Sequence, residues 1–133
     1  IIVNAFFNTS SLVFTALSAS ISVGHNVLGF DIYLIKEMYL LKGRNINHLV
    51  EKFIDTNCLA KGIKYGIPKI PKESLIEYQY KLLHTYKKGI KTNLTALGKD
   101  YSIEHDYDNL HNAIVDLELN LKVWNKLKFQ IDI

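Results

Sequence analysis

Apolar positions along this chain recur at two spacings, every three to four residues and every second residue, and the contrast lays out its elements. From residue 30 to residue 41 they fall at Phe30, Leu34, Ile35, Met38 and Leu41, one face of an α-helix that Gly43 ends. A second helix is predicted over 72–88, with Leu75, Tyr78, Leu82, Leu83 and Tyr86 on its apolar side and Gly89 closing it. A shorter one is predicted over 92–101 from a Thr or Asn cap. The last runs over 110–128, with Ala113, Ile114, Leu117, Leu121 and Trp124 at helical spacing. Residues 20–23, alternating and β-branched, read as a short strand stopped by Gly24. Residues 52–56 (KFIDT) read as another, followed by a helical turn or two over 57–64. Ser10 and Ser11 can cap a short helix over 12–19, and Gly66, Pro68 and Pro71 mark a loop. Strands alternating with helices predict an α/β domain.

Composition adds bounds. A chain of 133 residues is one domain, 1–133, with enough length to bury a core. Its longest apolar-rich run, 11–23, is broken by serines and a threonine and is too polar and too short to span a bilayer. No basic residue precedes it, as a signal peptide would require. A membrane is therefore not an expected partner. A single cysteine, Cys58, excludes an intramolecular disulfide and fits a reducing compartment, so a cytoplasmic protein is expected. The chain begins at Ile1 and its one methionine is Met38, so the expectation is a processed N-terminus or a piece of a longer polypeptide.

Charge changes the picture further. The net charge of +3 is unevenly spread: residues 61–91 hold eight lysines against two acids, Glu73 and Glu77, with Tyr65, Tyr78, Tyr80 and Tyr86 between them. Lysines beside aromatic faces suit a groove for single-stranded nucleic acid, cations for phosphates and rings for bases. The competing reading is a solvated amphipathic helix whose tyrosines pack inward. Residues 100–108 are the reverse, four acids with His105.

Two stretches hold candidate chemistry. In GHNVLGFDIYLIKEM, residues 24–38, Asp31 stands where the helical pattern begins, and helix capping alone would account for it. In DNLHNAIVDLELNLKVW, residues 108–124, His111 and Asp116 are five positions apart, about 140° around one continuous helix. They converge only if His111 lies in the turn leading into the helix and Asp116 in its first turns. Asp116 also sits between Val115 and Leu117, beside an apolar stripe, where a carboxylate without partners would be costly.

Taken together, three blocks resemble the DEDDh branch of the 3′–5′ exonuclease superfamily, which includes proofreading subunits of replicative polymerases and ribonuclease T-like enzymes. GHNVLGFDIYLI resembles the second exonuclease motif. FIDTNCLAKG resembles the strand and turn that follow it. NLTALGKDYSIEHDYDNLHNAIVDLELNLKVW resembles the third motif and its approach, with the His, four residues, Asp spacing. Together they reach over roughly residues 20–127, in the family's order. The resemblance implies a ribonuclease H-like exonuclease fold, a mixed sheet flanked by helices. It implies that Asp31 and Asp116 are metal-binding carboxylates and that His111 is the general base. It implies that His25 and Asn26 shape the substrate site. Asn112 stands where a related branch has a tyrosine base, which favours the histidine branch. Such an enzyme uses two Mg²⁺ or Mn²⁺ ions to stabilise attacking and leaving oxygens, with a histidine taking the proton of water near neutral pH. The expected substrate is the 3′ end of a single strand, with Lys87, Lys88 and Lys91 against its phosphates. The residues leave DNA and RNA both open, and the resemblance puts DNA ahead.

One departure is large. The family's first motif, Asp-x-Glu on the first strand, is missing, since no Asp or Glu precedes Asp31 and Asn4 and Phe6 stand at the nearest equivalent positions. Three explanations fit: the chain is the C-terminal part of an exonuclease domain without its first strands, its site is altered, or a polymerase or further polypeptide completes it. The alternative function is a degenerate exonuclease fold that binds nucleic acid or protein. A small α/β domain with no nucleic-acid role is the third reading.

Overall fold

The computed structural model describes residues 20–131, so the helix expected over 12–19 lies outside them. Two strands, β1 (Ser22–Gly24) and β2 (Phe53–Asp55), run parallel, with Ser22 opposite Phe53, Val23 opposite Ile54 and Gly24 opposite Asp55. Parallel neighbours need a crossover. Here it is a turn of π-helix (Val27–Asp31) running straight into α1 (Ile32–Leu41), then a loop and a 3₁₀ turn (Val50–Lys52). Four helices follow: α2 (Thr56–Tyr65), α3 (Leu75–Leu83), α4 (Leu94–Asp100) and α5 (Ala113–Leu127). The described residues thus form a mixed α/β structure of five α-helices on a small parallel sheet. Two short strands are marginal alone, so the helices must hold them.

Side chains alternate along β2 and feed two cores. Phe53 packs with Val27, Leu28, Ile32, Ile35 and Tyr39 from the π turn and α1. Ile54 packs the other way, with Cys58 and Leu59 of α2 and Tyr78 and Leu82 of α3. A third cluster joins Ala60 of α2 to Leu97 of α4 and to Leu119, Val123 and Leu127 of α5. Helix α2 is therefore covered on several sides, so close to α3 that a Cβ on Gly62 would collide with Tyr78 Oη.

Three sequence expectations need correction. In α1 the inward residues are Ile32, Ile35 and Tyr39, while Phe30, Leu34 and Leu41 face out, Leu41 with 85% exposure. The π turn buries Val27 and Leu28 and so sets which way the helix faces. With apolar residues on both sides of α1, periodicity could not choose between them. The same happens in α5, where Leu119, Val123 and Leu127 are buried and Ile114, Leu117 and Leu121 are exposed. Finally, the helix expected over 72–88 stops at Leu83, because Lys61 Nζ takes the carbonyls of Leu82 (3.2 Å) and Leu83 (3.3 Å) and Thr85 Oγ1 takes that of Lys81 (2.7 Å). Those bonds satisfy the last turn, and Tyr86 beyond it is exposed. The turn or two expected over 57–64 is the full helix α2, capped by Asp55 and ended by Gly66 at φ 67°. Among the described residues no helix is long and apolar enough to cross a membrane.

Candidate functional site at the strand ends

Both strands end at the same edge, at Gly24 and Asp55, and a buried polar network gathers there. Asp55 is wholly buried and takes four backbone N–H groups: Asn26 (2.9 Å) and Asn57 (2.9 Å) and Cys58 (3.3 Å) on Oδ1, Leu28 (3.0 Å) on Oδ2. One carboxylate therefore caps α2 and anchors the start of the π turn. Burial pushes its pKa above the ordinary carboxylate range, and the N–H groups of Leu28, Asn26, Cys58 and Asn57 pull it back. Asn26 itself takes the left-handed conformation (φ 59°), a region asparagine tolerates better than most residues. Its side chain crowds Gly29, where a Cβ would collide with Asn26 Oδ1.

The next residue, Thr56, staples α5 to this corner. Its hydroxyl faces two acceptors, Asn120 Oδ1 (2.9 Å) and Gly24 O (3.3 Å), and since its one proton goes to these, its oxygen accepts from His25 Nδ1 (3.0 Å). That network assigns His25 the Nδ1–H tautomer, and burial lowers its pKa to about 4. His25 is therefore neutral at neutral pH. The outer edge of β2 is closed by Gln79 of α3, whose Oε1 accepts from Asp55 N (2.6 Å) and whose Nε2 donates to Phe53 O (3.0 Å). A side-chain amide here does what a third strand would do.

His111 and Asp116 meet the condition their spacing set. Helix α5 begins only at Ala113, capped by Asn112 Oδ1, so His111 lies in the turn before it and Asp116 in its first turn. The His111 backbone N–H donates to Asp116 Oδ1 at 3.1 Å. His111 has φ 78°, a conformation costing on the order of 1 kcal/mol in a residue with a side chain, and it is exposed. Asp116 lies one turn before Asn120, on the face of α5 turned toward the strand ends. Asp31, at the end of the π turn, has helical dihedrals and makes no side-chain capping bond, so capping does not account for it.

The basic segment divides in two. Tyr65 and Tyr78 are buried, and Tyr78 Oη donates to Ile67 O (2.6 Å). Lys61, Lys64 and Lys81 serve the fold, the last paired with Glu73 at 2.7 Å. Lys87 donates to Tyr65 O (2.7 Å) at the end of α2, whereas Lys88 and Lys91 are exposed. Inward packing accounts for half of the interleaved tyrosines.

The donor set does not fit a two-metal centre. Among the described residues no group of three or more His, Cys, Asp or Glu is gathered closely enough to hold a metal ion, the trio Asp31, His111 and Asp116 included. Two carboxylates and one imidazole also fall short of what two hard cations require. Asp55, Thr56, Gln79 and Asn120 were not singled out from the sequence. The signal for the first two was the Asp-Thr of FIDTNCLAKG, and for Asn120 its position four residues after Asp116. Gln79 left none, since nothing local ties it to β2. No family model, curated protein or solved structure matches the chain.

Proposed function

We propose that this chain is a DEDDh-type 3′–5′ exonuclease domain that receives the 3′ end of a single strand, DNA ahead of RNA, at the carboxyl ends of β1 and β2. Ligands of α/β proteins collect at such strand ends. The observation that carries the reading is the lead-in to α5. An exposed histidine is held in a left-handed turn by the carboxylate of Asp116, on a helix face stapled through Asn120 and Thr56 to His25. In this reading His111 takes the proton of the attacking water, His25 and Asn26 shape the site, and Lys88 and Lys91 meet phosphates. Asp31 and Asp116 are the carboxylates assigned to Mg²⁺ or Mn²⁺ in this reading, and with His111 they do not by themselves form a metal-binding group. Hydrolysis is therefore expected from a polypeptide that also brings the upstream acids. The test is 3′ shortening of an end-labelled oligonucleotide in Mn²⁺ by the chain with its natural upstream sequence. The expected result is shortening that falls about 100-fold or more in His111→Gln and Asp116→Asn. No shortening, or shortening indifferent to both changes, sinks it.

That no three donors are gathered to hold a metal ion among the described residues favours a second reading, a degenerate exonuclease fold that binds nucleic acid or protein without cutting. Salt-sensitive oligonucleotide binding with no shortening selects it.

A further inference from the structure

A groove of about 240 Å³ lies between α1, the loop after it and α3, outside the strand-end site. Its floor is apolar, with Ile32 and Ile46 both buried. Tyr33 of α1 and Tyr80 of α3 border it, 58% and 37% exposed. Among the described residues no ring contact joins the two. Lys36, one turn along α1 from Tyr33, is exposed and forms no ion pair among the described residues. The Asn47 side chain, also at the groove, makes no hydrogen bond among the described residues; only its backbone N–H is used, to Asn45 Oδ1 at 3.2 Å. The Tyr80 hydroxyl is pushed above its ordinary pKa, first by partial burial and then by Tyr33.

Each part answers to one piece of a nucleotide. Apolar floor and aromatic borders suit a flat heterocycle, which stacks whatever its identity. A free amide suits the hydrogen-bonding edge of a base, and an unpaired ammonium suits a phosphate. The volume lies below the ~300 Å³ at which pockets for drug-sized ligands begin, which limits the occupant to about one base with its sugar. An apolar metabolite would use neither the Lys36 ammonium nor the Asn47 amide.

We infer that this groove holds one nucleotide unit, its base against Tyr33 and Tyr80, its edge at Asn47 and its phosphate at Lys36. Among the four tyrosines of the basic segment, Tyr80 is then the one placed for stacking. Naming a single strand as the source of that nucleotide rests on the function proposed above, and a free mononucleotide has the same chemistry.

The experiment is a ¹⁵N-resolved NMR titration of the chain with adenosine monophosphate and, separately, with a short oligodeoxyadenylate whose affinity is also read by fluorescence anisotropy. Shifts are expected at Tyr33, Lys36, Asn47 and Tyr80. Tyr33→Ala and Tyr80→Ala should each weaken binding roughly tenfold, Lys36→Gln should flatten its salt dependence, and Tyr80→Phe should bind as wild type. These positions are exposed, so unchanged resonances elsewhere report an intact fold. Shifts with both ligands support a strand as the source, and shifts with the mononucleotide alone support a free nucleotide. Silence at the groove with both ligands, or alanine variants that bind as wild type, overturns the inference. The nuclease reading is judged separately, by 3′ shortening that depends on His111 and Asp116, and shortening with a silent groove leaves it standing.

Discussion

The corner where β1 and β2 end and the turn leading into α5 are both tied to that helix, the one at Asn120 and the other at Asp116, yet they are built on opposite terms. At the strand ends Asp55, Thr56 and Gln79 are buried, and each has its partners in place. At the α5 lead-in His111 is exposed, left-handed, and held by one N–H bond to Asp116. A buried polar group without a partner costs more than an exposed one, so the first region must be complete for the chain to fold. The second can carry strain and an exposed imidazole because the corner beside it is buried and bonded to α5. Stability and candidate chemistry are thus separated by one helical turn of α5.

Mutations should pull the two regions apart. The largest effect is expected for Asp55→Ala, which strands four N–H groups at the β2 end and removes the cap of α2. A loss of about 3 kcal/mol or more in urea unfolding is expected; a loss below 1 kcal/mol would mean that water replaces the carboxylate and that the corner is not the anchor. A middle-sized effect comes from His25. Its folded pKa, about 4, lies below the unfolded value near 6.5, so the unfolded chain binds the proton more readily. The stability it contributes is whole above pH 6.5 and is lost as pH falls toward 4. Asp55, raised by burial, works in the opposite sense in acid, so the comparison must be internal. Between pH 7 and pH 4 the wild type should lose about 2 kcal/mol more than His25→Gln; equal losses would place His25 in water. The smallest effect on stability is expected for His111→Gly. Relief of the left-handed strain offsets the greater freedom of glycine in the unfolded chain, leaving a change within about 1 kcal/mol. A loss above 2 kcal/mol would show that the His111 ring supports the fold.

Much of the element order was legible. Residues 20–23 and 52–56 read as strands because they are short and β-branched, and strands form there at Ser22–Gly24 and Phe53–Asp55; α4 and α5 begin within a few residues of their expected starts. The expected helix over 110–128 took in His111, whereas Asn112 caps the helix and leaves His111 in the turn before it; the sequence stated that placement only as a condition. What failed was the choice of face. In α5 two apolar stripes compete, and Asp116 travels with the stripe that holds Leu119, Val123 and Leu127.

The sequence by itself determined where the chain bends and where its helices and strands begin, since those depend on neighbours within a few positions. It also singled out Asp31, His111 and Asp116 as candidates for chemistry. Only the tertiary structure decided that Asp55 and Thr56 join strand, turn and α5, and that Gln79, 24 residues from Asp55, closes the edge of β2. It also decided that Tyr33 and Tyr80 border one groove. These are long-range pairings of polar or aromatic groups with no local signature. They follow from how three cores pack around α2, the central helix, and once packing excludes water from that corner, each buried donor and acceptor needs a partner there.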